Sequence, residues 1–494
     1  MYISTRGNME KQTSAQAIAM GMVPSGGLFV PETIPQICWQ ELRNEDYAGL
    51  ATKIMRLFLD DLPSEILEEA VKVYGDGRFE GANPAPLVDA GDCGILELWH
   101  GPTAAFKDMA LQVLPYFLAS SMKTIGLRSE VLILTATSGD TGKAALEGFK
   151  DVPGTKIAVF YPDGGVSPVQ ERQMITTGGS NTYVAAVKGN FDECQTAVKK
   201  MFSSSSLKEK LSRKNLVFSS ANSINWGRLM PQIVYYFWAY LQAVDRREVN
   251  PGEKINIVVP TGNFGNILAA YYAKKMGLPI ANLICASNKN NVLTDFFQSG
   301  IYNSKRPFHL TSSPSMDILI SSNFERFLFE VSGRNPQKIK AWFSDLSSNG
   351  KFEVDRETLN SCRQNMVAGW ASEEEVTGTI HRVYQNFDYL IDPHTAVGIK
   401  VYEDYRRKHG DDTYTIVTST ASPFKFAHHV FNALQEGASV DPWDALTSLS
   451  DLTGWEIPPG LKDLSLKAAQ KVTRLSSAQL EEYLIREFSL DTCI

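Results

Sequence analysis

Long apolar runs are missing from these 494 residues, and with them any stretch able to cross a bilayer as a helix. Runs of basic residues are missing too. With 48 Lys and Arg against 55 Asp and Glu, the formal net charge is −7, which argues against nucleic acid or an anionic membrane surface as the partner. Cysteine is scarce and scattered: Cys38, Cys93, Cys194, Cys285, Cys362 and Cys493 form no CxxC pair and no disulfide-like framework. The adjacent His428 and His429 cannot share a helix face as an i,i+4 ligand pair, so no metal is expected. The opening stretch MYISTRGNMEKQTSAQA carries no apolar signal core. These absences together lead to the expectation of a cytoplasmic protein that acts on a small molecule.

What is present is strand–helix alternation. From about residue 130, short apolar runs (VLILTA, KIAVFY, TYVAAV, NLVFSS, KINIVV, ANLICA and, much later, YTIVTS) are separated by stretches with helix spacing. Strands that are apolar throughout are buried on both faces, which predicts parallel sheets of the α/β class. Residues 1–95 form a preface rich in helical pattern. Between about 300 and 410 the strand texture pauses, and MDILISSNFERFLFEVSG and SEEEVTGTIHRVYQNF read as helices. The tail from about 440 is mixed and largely helical.

Ligands of such sheets collect beyond the carboxyl ends of the strands, and three turns there are unusual. TSGDTG (137–142) opens a helix, with glycines that let backbone approach a ligand and N–H groups that suit an anion. A plain capping turn explains it equally well. PTGNFGN (260–266) also opens a helix and has the physics of a phosphate cradle. It lacks the GK[ST] of a nucleotide loop and the spacing of GxGxxG, so a phosphorylated cofactor suits it better than a nucleoside triphosphate. TASPFKF (420–426) ends a strand in hydroxyls that could reach a ring nitrogen, or could simply terminate the strand. In SSANSINWGR (219–228), Asn222, Ser223 and Arg228 stand where a strand gives way to a helix, and Arg228 could fork onto a phosphate. DPHTAVG (392–398) reads as a capped helix start, with packing as its expected role.

One lysine is out of place. In LWHGPTAAFKDMALQVL (98–114), Lys107 follows Phe106 in apolar, small-residue surroundings, where an ammonium is costly. Burial near a helix N-terminus weakens a lysine's hold on its proton and makes it a candidate Schiff-base nucleophile. A reactive lysine, a phosphate cradle and a hydroxyl for a ring nitrogen together suit pyridoxal phosphate.

At this point the motifs resemble a known family. HGPTAAFKD, TATSGDTGKAA, SANSINWGRL and PTGNFGN, framed by YISTRG, PSGGLFVP and TASPFKF, are similar in order and spacing to bacterial-type threonine synthases. The resemblance implies a pyridoxal-phosphate lyase of fold type II, with two parallel-sheet α/β domains, an N-terminal helical segment and a helical insertion. The implied divisions are a family-specific region 1–95, a smaller domain 96–225 carrying Lys107 and TSGDTG, and a larger domain 226–494 with the insertion and tail.

The resemblance further implies that O-phospho-L-homoserine and water become L-threonine and phosphate. Lys107 would hold the cofactor and move protons, with Phe106 beside it. Gly262, Asn263, Phe264, Gly265 and Asn266 would surround the cofactor phosphate, Thr420 would meet the pyridine nitrogen, and Asp140 would lie near the cofactor. Ser138 and Thr141 would take the substrate carboxylate, and Asn222, Ser223 and Arg228 its phosphate. A monomer is implied. Two alternatives remain: a phospho-lyase releasing 2-oxobutyrate and ammonia from the same substrate, and a cofactor-binding regulator without catalysis.

Overall fold

Strands that are apolar throughout need helices on both faces of their sheet, and two such sheets form in the computed structural model, which describes residues 1–137, 139–435 and 440–491. The chain opens with an antiparallel pair, β1 (Tyr2–Ser4) and β2 (Phe29–Pro31). The larger sheet comprises β3 (Leu87–Asp89), β4 (Gly94–Glu97), β9 (Ile255–Pro260), β10 (Ile280–Ser287), β13 (Met366–Trp370) and β14 (Thr415–Ser419). Its order is β13-β10-β9-β14-β4-β3, parallel except for β3. The smaller sheet comprises β5 (Glu130–Ala136), β6 (Thr155–Pro162), β7 (Thr182–Lys188), β8 (Leu216–Ser219) and β15 (Thr473–Ser476). Its order is β15-β7-β6-β5-β8, parallel throughout. A small hairpin, β11 (Ile301–Asn303) with β12 (Lys351–Glu353), lies within the insertion.

Burial follows the composition. Every residue of β9 (INIVVP) and β14 (TIVTS) is buried, as parallel central strands require. The helix Pro231–Asp245, with Tyr235, Tyr236, Phe237 and Tyr240 all buried, crosses between the N-terminal region and the helix Gly265–Lys275. Arg326 ties the insertion to the rest: fully buried, it donates to the carbonyls of Phe29 and Ile224 and to Asn323 Oδ1.

The structure departs from the sequence reading at several places. β13 adds an edge strand to the larger sheet inside the region expected to be helical. It is short and only half-buried, so it lacks the apolar run that marks the central strands. The helix expected over MDILISSNFERFLFEVSG covers only Phe324–Val331. Ahead of it, Asn323 donates both its backbone N–H and its side-chain amide to the carbonyl of Asn263, and these tertiary bonds replace the helical ones. Strands also cross the expected divisions of the chain. β15 from the tail joins the smaller sheet beside β7. The segment leading to Lys107 follows β4 of the larger sheet, where Leu98 and Phe106 donate their N–H groups to the carbonyls of Ser419 and Thr420. Among the described residues, no helix is long and apolar enough to cross a membrane.

Candidate active site

Three strand exits of the two sheets converge on Lys107. Its own segment is zipped to the exit of β14: Ala105 pairs with Ala421, and Ser422 N–H donates to the Ala104 carbonyl. The helix that follows, Asp108–Leu111, is a single turn with Lys107 at its N-cap. Burial is therefore the leading cause that lowers the Lys107 ammonium's hold on its proton. Lys425 and Arg228 act in the same direction, and Asp140 opposes them. Phe106 lays its ring 5.3 Å from Lys107 Nζ, a cation–π contact. Asp108 turns away and accepts from Thr103 N–H and Oγ1 at 2.8 and 2.7 Å, while burial pushes its carboxyl up to about 6.

The first residue of the helix Asp140–Phe149 meets the lysine. Asp140 Oδ2 lies 3.4 Å from Lys107 Nζ, and Ser315 Oγ bridges the two at 3.1 Å from the amine and 3.0 Å from the carboxylate. The other oxygen, Oδ1, accepts from Gln170 Nε2 and faces Lys425 Nζ, each at 3.0 Å. Burial alone would push the Asp140 carboxyl up. Lys425 and Lys107 outweigh it and hold the group well below the usual carboxylate range. Within the same turn, Thr137 Oγ1 accepts from the N–H groups of Gly139 and Gly142, so the capping explanation of TSGDTG holds for part of it. Gly139 is needed for its φ of +135°, and a Cβ there would lie 2.5 Å from the Gln170 side chain. Thr141 is half-buried, and Ser138 lies outside the described residues.

The exit of β9 forms the cradle. Phe264 adopts a left-handed φ of 63° at the N-cap of the helix Gly265–Lys275, and its ring packs on Phe324 and Phe327. Asn266 accepts on Oδ1 from both Tyr235 and Tyr236 hydroxyls, which fixes its amide. Its Nδ2 is then buried with no partner. A buried, oriented and unsatisfied donor in the first turn of a helix calls for an anion. Gly262 lets the Ser315 carbonyl approach, and Ser321 Oγ donates to the Gly262 carbonyl at 2.7 Å. Asn263 Oδ1 accepts from Ser322 Oγ, which in turn contacts Ser223 Oγ at 3.4 Å. Thr420, buried at the end of β14, engages Phe106 through its carbonyl, while its hydroxyl has no hydrogen bond among the described residues.

Arg228 lies in the short helix Trp226–Leu229 with only 5% of its surface exposed. Among the described residues it has no acidic partner, and one nitrogen donates to the Ala221 carbonyl at 2.9 Å. Burial lowers it to about 10. A buried guanidinium without a counter-charge is expensive unless an anion arrives. Asn222 is exposed at the rim of this loop, and the neighbouring Asn225 instead does structural work, bonding the Ile18 and Ser220 carbonyls.

Three participants were absent from the expected set. Lys425 sits inside TASPFKF, where only the hydroxyls carry a functional expectation. Ser315 lies in the insertion, where no motif marks it. His394, from the DPHTAVG turn, accepts the Ser315 N–H on Nε2 at 3.2 Å, with Nδ1 2.5 Å from Asp392 Oδ2. That turn supports the site as well as packing. Among the described residues, no group of three His, Cys, Asp or Glu side chains is placed to hold a metal ion.

The residues thus fit pyridoxal phosphate on the structure's own terms: a buried lysine, an unsatisfied amide in a glycine-lined cradle and a hydroxyl with no hydrogen bond among the described residues, all at the exits of neighbouring strands. Comparisons with known proteins agree. Residues 1–73 match a family described as threonine synthase N terminus, 95–420 match pyridoxal-phosphate dependent enzyme, and 395–483 match threonine synthase, C-terminal. Saccharomyces cerevisiae threonine synthase is 39% identical over 466 residues, 88% of this chain and 89% of that protein. The crystal structure of PLP-bound threonine synthase from Brucella melitensis is similar with a TM-score of 0.87 at 38% identity, covering 99% of both chains. The yeast threonine synthase structure is similar with a TM-score of 0.88 at 35% identity, again covering 99% of both chains.

Proposed function

The chain belongs to the threonine synthase family of pyridoxal-phosphate enzymes, and on that premise we propose that it converts O-phospho-L-homoserine and water into L-threonine and phosphate at Lys107. One observation carries the assignment of the substrate. Lys107 and Arg228 are both buried and close enough for their charges to act on each other, and Arg228 has no acidic partner among the described residues, as an amino-acid substrate with its own phosphate requires, in addition to the phosphate of the cofactor.

Pyridoxal phosphate, when bound, supplies the electron sink that makes the Cα and Cβ hydrogens of an amino acid removable. The chain supplies the rest. Lys107 would hold the cofactor through Nζ, and the same amine, when free, would take the Cα proton and serve as the local proton carrier. The loop Gly262–Asn266 holds the cofactor phosphate through the first turn of its helix and the free Asn266 amide. Thr420 offers its hydroxyl to the ring nitrogen. A neutral hydroxyl there, where a carboxylate would favour protonation, leaves that nitrogen less often charged. Arg228, with Asn222 and Ser223, receives the substrate phosphate and stabilises the charge that builds as it leaves Cγ. Thr141, in the first turn of the helix Asp140–Phe149, takes the substrate carboxylate together with Ser138, which lies outside the described residues. Water is then added at Cβ. The same reading makes the protein a cytoplasmic monomer that acts on a small molecule. The acidic net charge and the free thiols of Cys38, Cys93, Cys194, Cys285 and Cys362 support it.

The test is to load the protein with pyridoxal phosphate, reduce it with borohydride and locate the cofactor by peptide mass, with Lys107→Ala alongside. Attachment at Lys107, with phosphate release from O-phospho-L-homoserine lost by at least ~1000-fold in the variant, is the expected result. Attachment to another lysine, or turnover that survives in Lys107→Ala, would refute the assignment.

A further inference from the structure

Lys425 carries an ammonium with no exposed side-chain surface at all. Such a group is costly unless its partners are fixed and charged. Its partners are few: the Thr103 carbonyl at 2.8 Å and Asp140 Oδ1 at 3.0 Å. Asp140 presents its other oxygen to Lys107 and Ser315. One buried carboxylate therefore serves two lysines, one on each oxygen.

Stability does not ask for this arrangement, because a buried ion pair seldom outdoes well-packed apolar side chains. If Asp140 existed only to hold the Lys107 ammonium, a second cation on the same carboxylate would weaken that grip. A weaker grip is useful where Lys107 has to act as a base, since a carboxylate wholly committed to it would keep its proton in place. The second cation also matters when Lys107 is covalently engaged and no longer offers an ammonium. Asp140, buried, would then be left without a counter-charge were it not for Lys425.

We propose that Lys425 is a positioning residue for Lys107: it takes one oxygen of Asp140 for itself, so the carboxylate stays in place whether Lys107 carries a proton, gives it up or is covalently engaged. The inference rests on the reading of Lys107 as the cofactor-bearing lysine and base. The groups that bear on Lys107 are Asp140 from the helix Asp140–Phe149, Lys425 from the turn Pro423–Phe426 and Arg228 from the helix Trp226–Leu229. His394 stands behind Ser315. Asp108, Lys143 and Glu147 form a further set, linked to the site through Lys425. Of the three groups that act directly on Lys107, only Asp140 favours its proton, and Lys425 sits on the oxygen of Asp140 that Lys107 does not use.

Cofactor-free protein gives a readout independent of turnover. Competitive labelling with acetic anhydride from pH 6 to 10, with the Lys107 peptide read by mass, reports the fraction of neutral amine. Lys425→Met should make Lys107 about tenfold less reactive at pH 8 and move its labelling curve to higher pH, because Asp140 is then committed to Lys107 alone. Adding the same substitution to Asp140→Asn should have a smaller effect, since the shared carboxylate is already gone and only the direct repulsion between the two ammonium groups remains. An unmoved Lys107 curve in folded Lys425→Met would overturn the proposal. If that variant does not fold, Lys425→Gln takes its place, with the same shift of the Lys107 curve expected and an unmoved curve again overturning the proposal. Borohydride trapping on the parent protein keeps the premise separate. Cofactor found on another lysine would sink the reading of Lys107, whereas trapping at Lys107 with an unmoved labelling curve would sink only the role of Lys425.

Discussion

The carbonyl oxygen of Ser315 lies 2.5 Å from the point that a Cβ on Gly262 would occupy. The insertion is thus seated directly on the loop proposed to hold the cofactor phosphate, and that approach requires a glycine. Gly262→Ala should push the two apart, weaken cofactor binding at least about tenfold and cost about 1–3 kcal/mol of stability. Titration of cofactor-free protein with pyridoxal phosphate, followed by its visible absorbance, measures the first effect. Undiminished affinity would mean that the contact has no bearing on the site.

Ser315 also reaches the chemistry, since its hydroxyl touches both Lys107 Nζ and Asp140 Oδ2. Lys107 and Asp140 contact each other without it, at 3.4 Å, so Ser315→Ala should be milder than loss of the lysine. The expected result is a drop of about tenfold in kcat with little change in KM, the pattern of a contact used after substrate is bound. Steady-state kinetics decide it, and a change confined to KM would move Ser315 to substrate binding alone.

Arg228 should separate stability from function. Its charge is buried without an acidic partner, so Arg228→Met ought to leave the thermal midpoint unchanged or raise it. The same variant should lose about 100-fold or more in kcat/KM with the phosphorylated substrate. A large fall in the midpoint with activity retained would mean that the arginine is structural.

His100 should make stability fall in mild alkali. It stacks on Trp99, and its Nε2 lies 2.7 Å from Glu97 Oε2. Burial opposes its charge, but Glu80 and Glu97 outweigh that and lift the imidazole from 6.5 to about 9. Because the folded value lies above the unfolded one, the stabilisation is complete below 6.5 and fades as pH rises through about 9. Urea unfolding of the parent and His100→Gln at pH 6 and pH 9.5 should give a gap that shrinks by about 3 kcal/mol at the higher pH. An equal gap at both would show that the imidazole is not charged in the folded protein.

The central strands were legible because burial on both faces leaves an unbroken apolar run, as in INIVVP and VLILTA. Turns at their exits stood out because glycine and hydroxyl residues cluster there, although capping accounts for part of TSGDTG. β13 was not, because an edge strand needs only one buried neighbour and no apolar run. Ser315 and His394 were hidden for another reason. Ser315 reaches Lys107 by tertiary approach from a segment far away in the chain, and His394 reaches Ser315 from the DPHTAVG turn, contacts that no local spacing announces. Lys425 was visible but silent. A lysine in PFKF looks solvated until the fold closes over it, and only the geometry pairs it with Asp140.

The most direct test of the account is a product balance on the loaded enzyme with O-phospho-L-homoserine, quantifying phosphate, threonine and 2-oxobutyrate in one reaction. Threonine equal to phosphate, with 2-oxobutyrate at background, is the expected result. Phosphate matched by 2-oxobutyrate would contradict it and make the protein a phospho-lyase, and no phosphate release at all would contradict catalysis on this substrate.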